Sequence, residues 1–186
     1  QALPEVLSYT FGASTLLEEA LTHGSAAGGR RSGPAPFQRL EFLGDAVLGM
    51  VVCQYLHDRF PDLLEGEMTK VKSMVVSRRV CAELAKEMGL SEALMLGKGM
   101  ATHEGLPMSV AAAVYESVLG AVYVDGGLES VKTLILSGLK ERIHLAVVSG
   151  HHSNFKFVLQ HFLVHTARIG QRPRITCIPK ALCTSE

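Results

Sequence analysis

Apolar positions recur at helical spacing along this chain, and two segments are apolar around nearly the whole helix. The first segment, about 37 to 60, contains RLEFLGDAVLGMVVCQYL and ends before Pro61. The second segment, MSVAAAVYESVLGAVYVDGG, ends at Gly126 and Gly127. A helix that is apolar on all sides is normally buried among other elements. The pattern therefore predicts two central helices.

Shorter amphipathic segments surround these two helices. STLLEEALTH, EGEMTKVKSMVVSRRVCAELAKEMGL (65 to 90) and LESVKTLILSGLKERIHLAVV each have apolar residues at helical spacing. Glycine and proline mark a loop over 24 to 36. SGHH marks a break, after which NFKFVLQHFLVHTA is typical of a helix and PRITCIP of a strand. We expect an all-α domain over 1–148, a linker over 149–152 and a separate segment over 153–186.

Composition limits the classes of function. Of the 186 residues, 47% are hydrophobic, and the formal net charge is zero, so any surface for nucleic acid has to be local. No apolar run reaches membrane-spanning length without a charge, which predicts no membrane segment. The four cysteines form no C-x-x-C pair, and unpaired thiols fit a reducing, cytoplasmic location. Cys53 lies within the first apolar helix, where a buried thiol is expected.

Both apolar helices are interrupted by acids. Glu41 and Asp45 are four residues apart, so they share one face of the first helix. Glu116 is the only charged residue in the second helix between positions 110 and 124. If the two helices pack together, three carboxylates converge and raise one another's pKa unless a cation lies among them. Carboxylate oxygens with bound water suit Mg²⁺ or Mn²⁺, which can activate water for phosphoryl transfer.

Each acid alone also has an ordinary explanation. Glu41 or Asp45 could pair with a buried cation, and Glu116 could hydrogen-bond a loop. The cations available for such pairs are Arg39, Lys70 and Lys72. The combination of two apolar helices, each interrupted only by acids, favours the metal site.

Several motifs resemble the ribonuclease III family. QRLEFLGDAVL resembles the family signature E-R-L-E-F-L-G-D-[SA]-V-L, and LLEEALTHGS resembles L-x-x-A-L-T-H-x-S. FPDLLEGEMTKVKSMVVS resembles the segment F-P-x-x-x-E-G-x-[LM]-[ST]-x-x-[RK]-[AS]-x-[LV]-V-S, and LMLGKG and ESVLGAVYVDGG follow in the family's order. The resemblance runs continuously over about residues 2 to 147.

This resemblance implies an all-α endonuclease fold that works as a homodimer, with the signature helix at the subunit interface. It implies Mg²⁺-dependent cleavage of double-stranded RNA to 5′-phosphate and 3′-hydroxyl ends, in the processing of ribosomal and other RNA. Such a duplex is recognised mainly by shape, phosphates and 2′-hydroxyls. Glu41, Asp45 and Glu116 match metal-binding carboxylates of the family, with Asp45 and Glu116 catalytic, and Glu65 matches a further acid of the catalytic valley. No small-molecule cofactor is implied.

Two positions depart from the family pattern. Ala113 stands where the pattern D-x-x-E has its aspartate, and Gln38 replaces the glutamate that opens the signature. The three remaining carboxylates could still hold one Mg²⁺, since that ion keeps several waters. Alternatively, the chain is a catalytically impaired member that binds duplex RNA or a ribosomal partner without cleaving it.

The C-terminal segment resembles only the start of a double-stranded RNA-binding domain. NFKFVLQ matches the first helix, [DN]-[YF]-K-x-x-L-Q, whereas ITCIPKALCTSE departs from the later part of that domain. We expect an incomplete α+β domain that contributes loose attraction to phosphates. Residues that could contact RNA are Lys70 and Lys72 in the 65–90 helix and Lys156 in this segment.

Overall fold

The structure is a computed structural model that describes residues 7–12, 14–26, 36–97 and 106–150. Its helices are α1 (Ser14–Ala20), α2 (Pro36–Arg59), α3 (Glu65–Val75), α4 (Arg78–Glu87), α5 (Leu90–Ala93) and α6 (Met108–Gly150). The described ranges contain no β-strand, only an isolated parallel bridge between Thr22 and Met95. The all-α expectation is therefore confirmed.

Helices α2 and α6 form the centre of the core, as their apolar patterns predict. On α2 the fully buried side chains include Phe37, Leu48, Val51, Val52 and Leu56. On α6 they include Val114, Tyr115, Leu119, Val122 and Leu139. Removing this apolar surface from water supplies most of the stability that holds the two helices together.

Glycine brings the backbones of α2 and α6 into direct contact. A Cβ added at Gly44 would overlap the carbonyl oxygen of Glu116, and one added at Gly120 would overlap the carbonyl oxygen of Leu40. The hydroxyl of Ser117 also donates a buried hydrogen bond of 3.4 Å to the carbonyl oxygen of Phe37. These contacts fix how α2 and α6 are placed along each other.

Helix α2 is less buried than its composition predicts. Phe42 is 81% exposed, Met50 is 46% exposed, and Cys53 is exposed as well. The expectations of burial on nearly all sides and of a buried Cys53 are therefore wrong. Met50 and Cys53 border an open groove towards α3, while Cys81 on α4 is the buried thiol among the described residues.

The segment 65–90 forms two helices where the sequence predicts one. Helix α3 ends at Val75, and α4 begins at Arg78 after Ser77, whose backbone is extended (φ −66°, ψ 149°). Serine is a preferred residue immediately before a helix. Here the Ser77 hydroxyl donates a 2.8 Å hydrogen bond to the Met74 carbonyl oxygen near the end of α3. Gly89, with φ of 68°, follows the end of α4, where the sequence predicts that the helix stops.

The sequence predicts that a helix stops at Gly126 and Gly127. In the structure the backbone bends at this point and α6 continues beyond it. Gly127 has φ of 74° and ψ of −172°, which interrupts the helical backbone. Beside it, the Asp125 carboxylate accepts hydrogen bonds from the Tyr9 hydroxyl (2.7 Å) and from the backbone N–H of Gly12 (2.8 Å). Asp125 thus attaches the N-terminal segment to the bend.

Among the described residues one helix, Met108–Ser149, is long and apolar enough to cross a membrane. However, 61% of its most apolar window is buried inside the protein, as in the core helix of a folded domain.

The chain divides into two compact units, 1–146 and 147–186. The linker expected over 149–152 is described only to residue 150. The segment expected over 153–186, with Lys156, lies outside the described residues.

Candidate active site

The contact between Gly44 and Glu116 places the predicted acids beside one another. Glu41 and Asp45 lie on either side of Gly44 in sequence, and the Gly44 backbone touches the carbonyl oxygen of Glu116. Glu41 and Glu116 are half-buried, whereas Asp45 is exposed. The structure therefore brings together the two acids of α2 and the one acid of this part of α6.

The charges of the three carboxylates act on each other. Burial raises the pKa of Glu116 to about 7, with further contributions from the negative charges of Asp45 and Glu41. Burial also raises the pKa of Glu41, where the charge of His23 opposes the rise and that of Asp45 adds to it. Neighbouring carboxylates resist ionising together, so this cluster favours either a proton or a cation.

The cations that the sequence offers as partners do not pair with these acids. The ion pairs of the described residues include neither Glu41, Asp45 nor Glu116. Arg39 and Lys70 are exposed. A Cβ added at Gly49 would lie 3.7 Å from the Lys72 Nζ, so Lys72 packs along α2 one turn beyond Asp45. Simple charge pairing therefore does not account for the acids.

The donor atoms of the cluster suit a hard divalent cation. In the described part of the chain, no three His, Cys, Asp or Glu side chains already stand in metal-binding geometry. Mg²⁺ is commonly held by one or two carboxylates and completes its shell with water and phosphate oxygens, so such a group is not required. A cation would also offset the burial of the Glu116 carboxylate and its repulsion by Asp45 and Glu41, which together raise its pKa to about 7. Glu41, Asp45 and Glu116 would be its protein ligands.

Cys81 on α4 is a site neighbour that sequence reasoning missed. The buried Cys81 thiol donates a 3.8 Å hydrogen bond to the Val76 carbonyl oxygen. Burial, followed by the charges of Glu116 and Asp45, raises the pKa of this thiol to about 12. The positive charge of Arg78 reaches Glu116 and lowers its pKa. No local pattern links α4 to position 116.

The two substituted positions differ in their surroundings. Ala113 is half-buried and lies three residues before Glu116, on the same side of α6, so a methyl group stands where the family pattern has a carboxylate. Gln38 is exposed, and its amide lies against the 22–26 turn: a Cβ at Gly24 would come within 2.6 Å of the Gln38 Nε2. Gln38 therefore contacts the backbone beside the site.

Glu65, the first residue of α3, lies in a groove between α2 and α3. One hollow of about 390 Å³ is lined by Asp45, Gly49, Met50, Cys53 and Lys72, among others. A second hollow of about 270 Å³ shares Cys53 and Lys72 and reaches Glu65. Glu65 is exposed and accepts a 2.9 Å hydrogen bond from the Thr69 hydroxyl. It does not join the other three acids, but the groove connects it to Asp45.

Comparison with known proteins agrees with this arrangement. Residues 13–143 match the model of the Ribonuclease-III-like family. The chain is similar to Ribonuclease 3 of Rhodopirellula baltica, with 44% identity over 158 residues, or 85% of this chain and 58% of that protein. It is also similar to Ribonuclease 3 of Symbiobacterium thermophilum, with 41% identity over 142 residues, or 76% of this chain and 60% of that protein. The chain thus spans less than two thirds of the length of these relatives.

A solved structure has the same fold. The nuclease domain of ribonuclease III from Campylobacter jejuni superimposes with a TM-score of 0.68 at 31% identity, covering 75% of this chain and 94% of that domain. That structure is described in terms of flexibility in a region involved in dimer formation. The similarity extends from sequence motifs to the packing of the helices.

Proposed function

This chain belongs to the ribonuclease III family, and we propose that it is a Mg²⁺-dependent endonuclease that cleaves double-stranded RNA, leaving 5′-phosphate and 3′-hydroxyl ends. The observation that carries this proposal is the convergence of Glu41, Asp45 and Glu116 where α2 and α6 cross. The natural substrates would be ribosomal and other RNA precursors. Mn²⁺ would substitute for Mg²⁺, because both ions accept oxygen ligands.

The chain's own residues would prepare the site in two ways. Glu41, Asp45 and Glu116 would bind the ion, which when bound supplies an activated water and stabilises charge on the phosphate. The direct contact at Gly44 fixes the spacing between the α2 and α6 carboxylates, so they need no rearrangement of the backbone. Asp45 is the exposed member and opens onto the groove that continues towards Glu65.

Duplex RNA would follow the groove between α2 and α3. Lys72 lines both hollows of this groove, and Lys70 is exposed on the same helix. Such cations attract phosphates without reading sequence. This agrees with recognition of a duplex by shape and backbone. Any contribution of Lys156 and the C-terminal segment remains a prediction.

The exposed Phe42 side chain of α2 supports the homodimer. Phe42 lies outside the groove between α2 and α3, whereas Ala46, Met50 and Cys53 line that groove and would face the RNA. Phe42, at 81% exposure, is a large side chain suited to fill a pocket on a second copy. Because Phe42 lies between Glu41 and Asp45 in sequence, a dimer through this side chain would set two active sites side by side. The cytoplasmic location expected from the unpaired thiols remains a prediction.

Cleavage of a defined duplex tests the proposed activity. The full chain would be incubated with a long RNA duplex and Mg²⁺ or Mn²⁺, beside each single strand alone. We expect cleavage of the duplex only, and loss of cleavage in Glu41→Gln and Glu116→Gln. Glu129→Gln, which alters an exposed acid on the far arm of α6, is the matched control and should cleave normally.

The alternative function predicts a different result. If the parent chain binds the duplex and leaves it intact with either ion, the protein is a non-cleaving member of the family. The replacement of a family aspartate by Ala113 is the feature that favours this alternative. If the parent cleaves and Glu41→Gln cleaves equally fast, the carboxylate assignment is wrong.

A further inference from the structure

Two adjacent arginines at the start of α4 differ in their contacts. Arg78 and Arg79 are both exposed. Arg79 Nε donates a 3.1 Å hydrogen bond to the Glu83 carboxylate, which also receives one of 2.7 Å from Arg142. Arg78 has no ion pair or side-chain hydrogen bond within the described ranges 7–12, 14–26, 36–97 and 106–150. One arginine is thus held in a structural network, and its neighbour has its guanidinium available.

The position of Arg78 on α4 directs it towards the carboxylate site. Val76, two residues before Arg78, lines the same hollow as Asp45. The thiol of Cys81, three residues after Arg78 on the same side of the helix, interacts with the Glu116 carboxylate. The start of α4 therefore lies beside the acid cluster. The charge of Arg78 reaches Glu116 from there, whereas Arg79 is turned towards Glu83. Arg78 is the cation of α4 that stands at the edge of the acid cluster.

A phosphodiester approaching three carboxylates meets strong repulsion. A guanidinium at the edge of such a cluster offsets it and can bind phosphate oxygens with two parallel hydrogen bonds. A buried ion pair with Glu116 would consume this capacity, but Arg78 is exposed and makes no such pair in the described structure. The arrangement leaves a phosphate-binding group next to the atoms that would carry out cleavage.

We propose that Arg78 binds a backbone phosphate of the duplex beside the carboxylate site and so positions the RNA strand that approaches Glu116. This inference rests on the proposed function, since it assumes that duplex RNA enters this site. It assigns α4 a direct part in substrate binding, in addition to the groove between α2 and α3. Arg78 would be a positioning residue, and Arg79 would have no such part.

Salt-dependent RNA binding tests this assignment. The parent chain and the variants Arg78→Ala, Arg78→Lys and Arg79→Ala would be titrated with one RNA duplex at several salt concentrations. Divalent metal would be left out so that the RNA stays intact. We expect Arg78→Ala to bind roughly tenfold more weakly. Its slope of log affinity against log salt should fall by about one. Arg78→Lys should recover the slope, and Arg79→Ala should match the parent.

A second measurement separates this role from simple charge compensation. With Mg²⁺, Arg78→Ala should raise the KM for the duplex several-fold, while Mn²⁺ affinity measured without RNA stays within about twofold of the parent. Equal RNA affinities and slopes for Arg78→Ala and Arg79→Ala would overturn the proposal. So would weaker Mn²⁺ binding with unchanged RNA binding, or a parent that does not bind duplex RNA.

The two proposals fail in distinguishable ways. A parent that binds the duplex without cleaving it refutes the endonuclease function, yet the salt slopes still decide the role of Arg78. A parent that cleaves normally while Arg78→Ala keeps the parental slope refutes the Arg78 contact alone.

Discussion

Gly44 of α2 lies directly against the carbonyl oxygen of Glu116 on α6, with no room for a side chain between the two backbones. The reciprocal contact, Gly120 against the carbonyl oxygen of Leu40, makes the two helices approach closely over one turn. Because Glu41 and Asp45 flank Gly44, this approach sets the separation of all three acids. The packing of the core and the geometry of the site therefore depend on the same contact.

Substitution of Gly44 tests that dependence. Gly44→Ala would force α2 and α6 apart, so we expect the free energy of unfolding to fall by about 3 kcal/mol or more, at the upper end of overpacking effects. Gly66→Ala is the control, because a Cβ at Gly66 meets nothing within 4 Å. It should stabilise α3 by up to about 1 kcal/mol. Urea unfolding followed by circular dichroism measures both, and equal effects would contradict the close contact.

The pKa of Glu116 predicts how stability depends on pH. This pKa rises from 4.5 to about 7 on folding, so between those values the folded protein binds more protons at Glu116 than the unfolded chain does. The free energy of unfolding should therefore decrease as the pH rises from about 4.5 to about 7, and this contribution should then level off. Thermal unfolding without divalent metal, across this range, measures the decrease.

Glu116→Gln is the control for this pH dependence. The amide keeps the shape of the side chain and removes the titration, so the variant should lose most of the decrease. Mg²⁺ should raise the melting temperature of the parent more at pH 8 than at pH 5, because only the ionised carboxylate is a ligand. A variant whose stability follows the same curve as the parent would show that Glu116 does not titrate in this window.

Restoring the family aspartate should strengthen metal binding. Ala113→Asp adds a fourth carboxylate, one turn before Glu116, and this further charge should tighten Mn²⁺ binding by roughly tenfold or more. Ala113→Asn, which has nearly the same shape without the charge, is the control. Isothermal titration with Mn²⁺ and the rate of duplex cleavage are the measurements. Equal affinities for the two variants would place residue 113 outside the ion's reach.

Removal of one exposed ring should weaken the dimer. Phe42→Ala takes away a side chain that is 81% exposed, so the folded subunit should keep its stability. If Phe42 anchors a second copy, dimer dissociation should be favoured by about 2 kcal/mol or more. Leu145→Ala, at a position 60% exposed on α6, is the control. Sedimentation velocity over a range of concentrations distinguishes the two, and a parent that is monomeric at micromolar concentration would contradict the dimer.

Local pattern accounts for much of the architecture. The apolar runs predict α2 and α6, and Gly127 interrupts α6 where the glycine pair predicts a stop. Segment 65–90 shows where pattern alone is insufficient: its apolar spacing continues through Ser77, but the backbone there is extended. Periodicity shows which face of a helix is apolar. It does not show that the backbone turns at Ser77, because α3 and α4 both keep their apolar faces in the core.

The sequence by itself determined the helical content of the described residues, the two central helices and the presence of acids within them, since these depend on residue types a few positions apart. Only the tertiary structure decided which face of α2 stays open, that Cys81 and not Cys53 is buried, and that the acids of α2 and α6 converge. These features arise between segments far apart in the chain. The steric contact of two backbones at Gly44 sets the convergence of the acids, and no local pattern records such a contact.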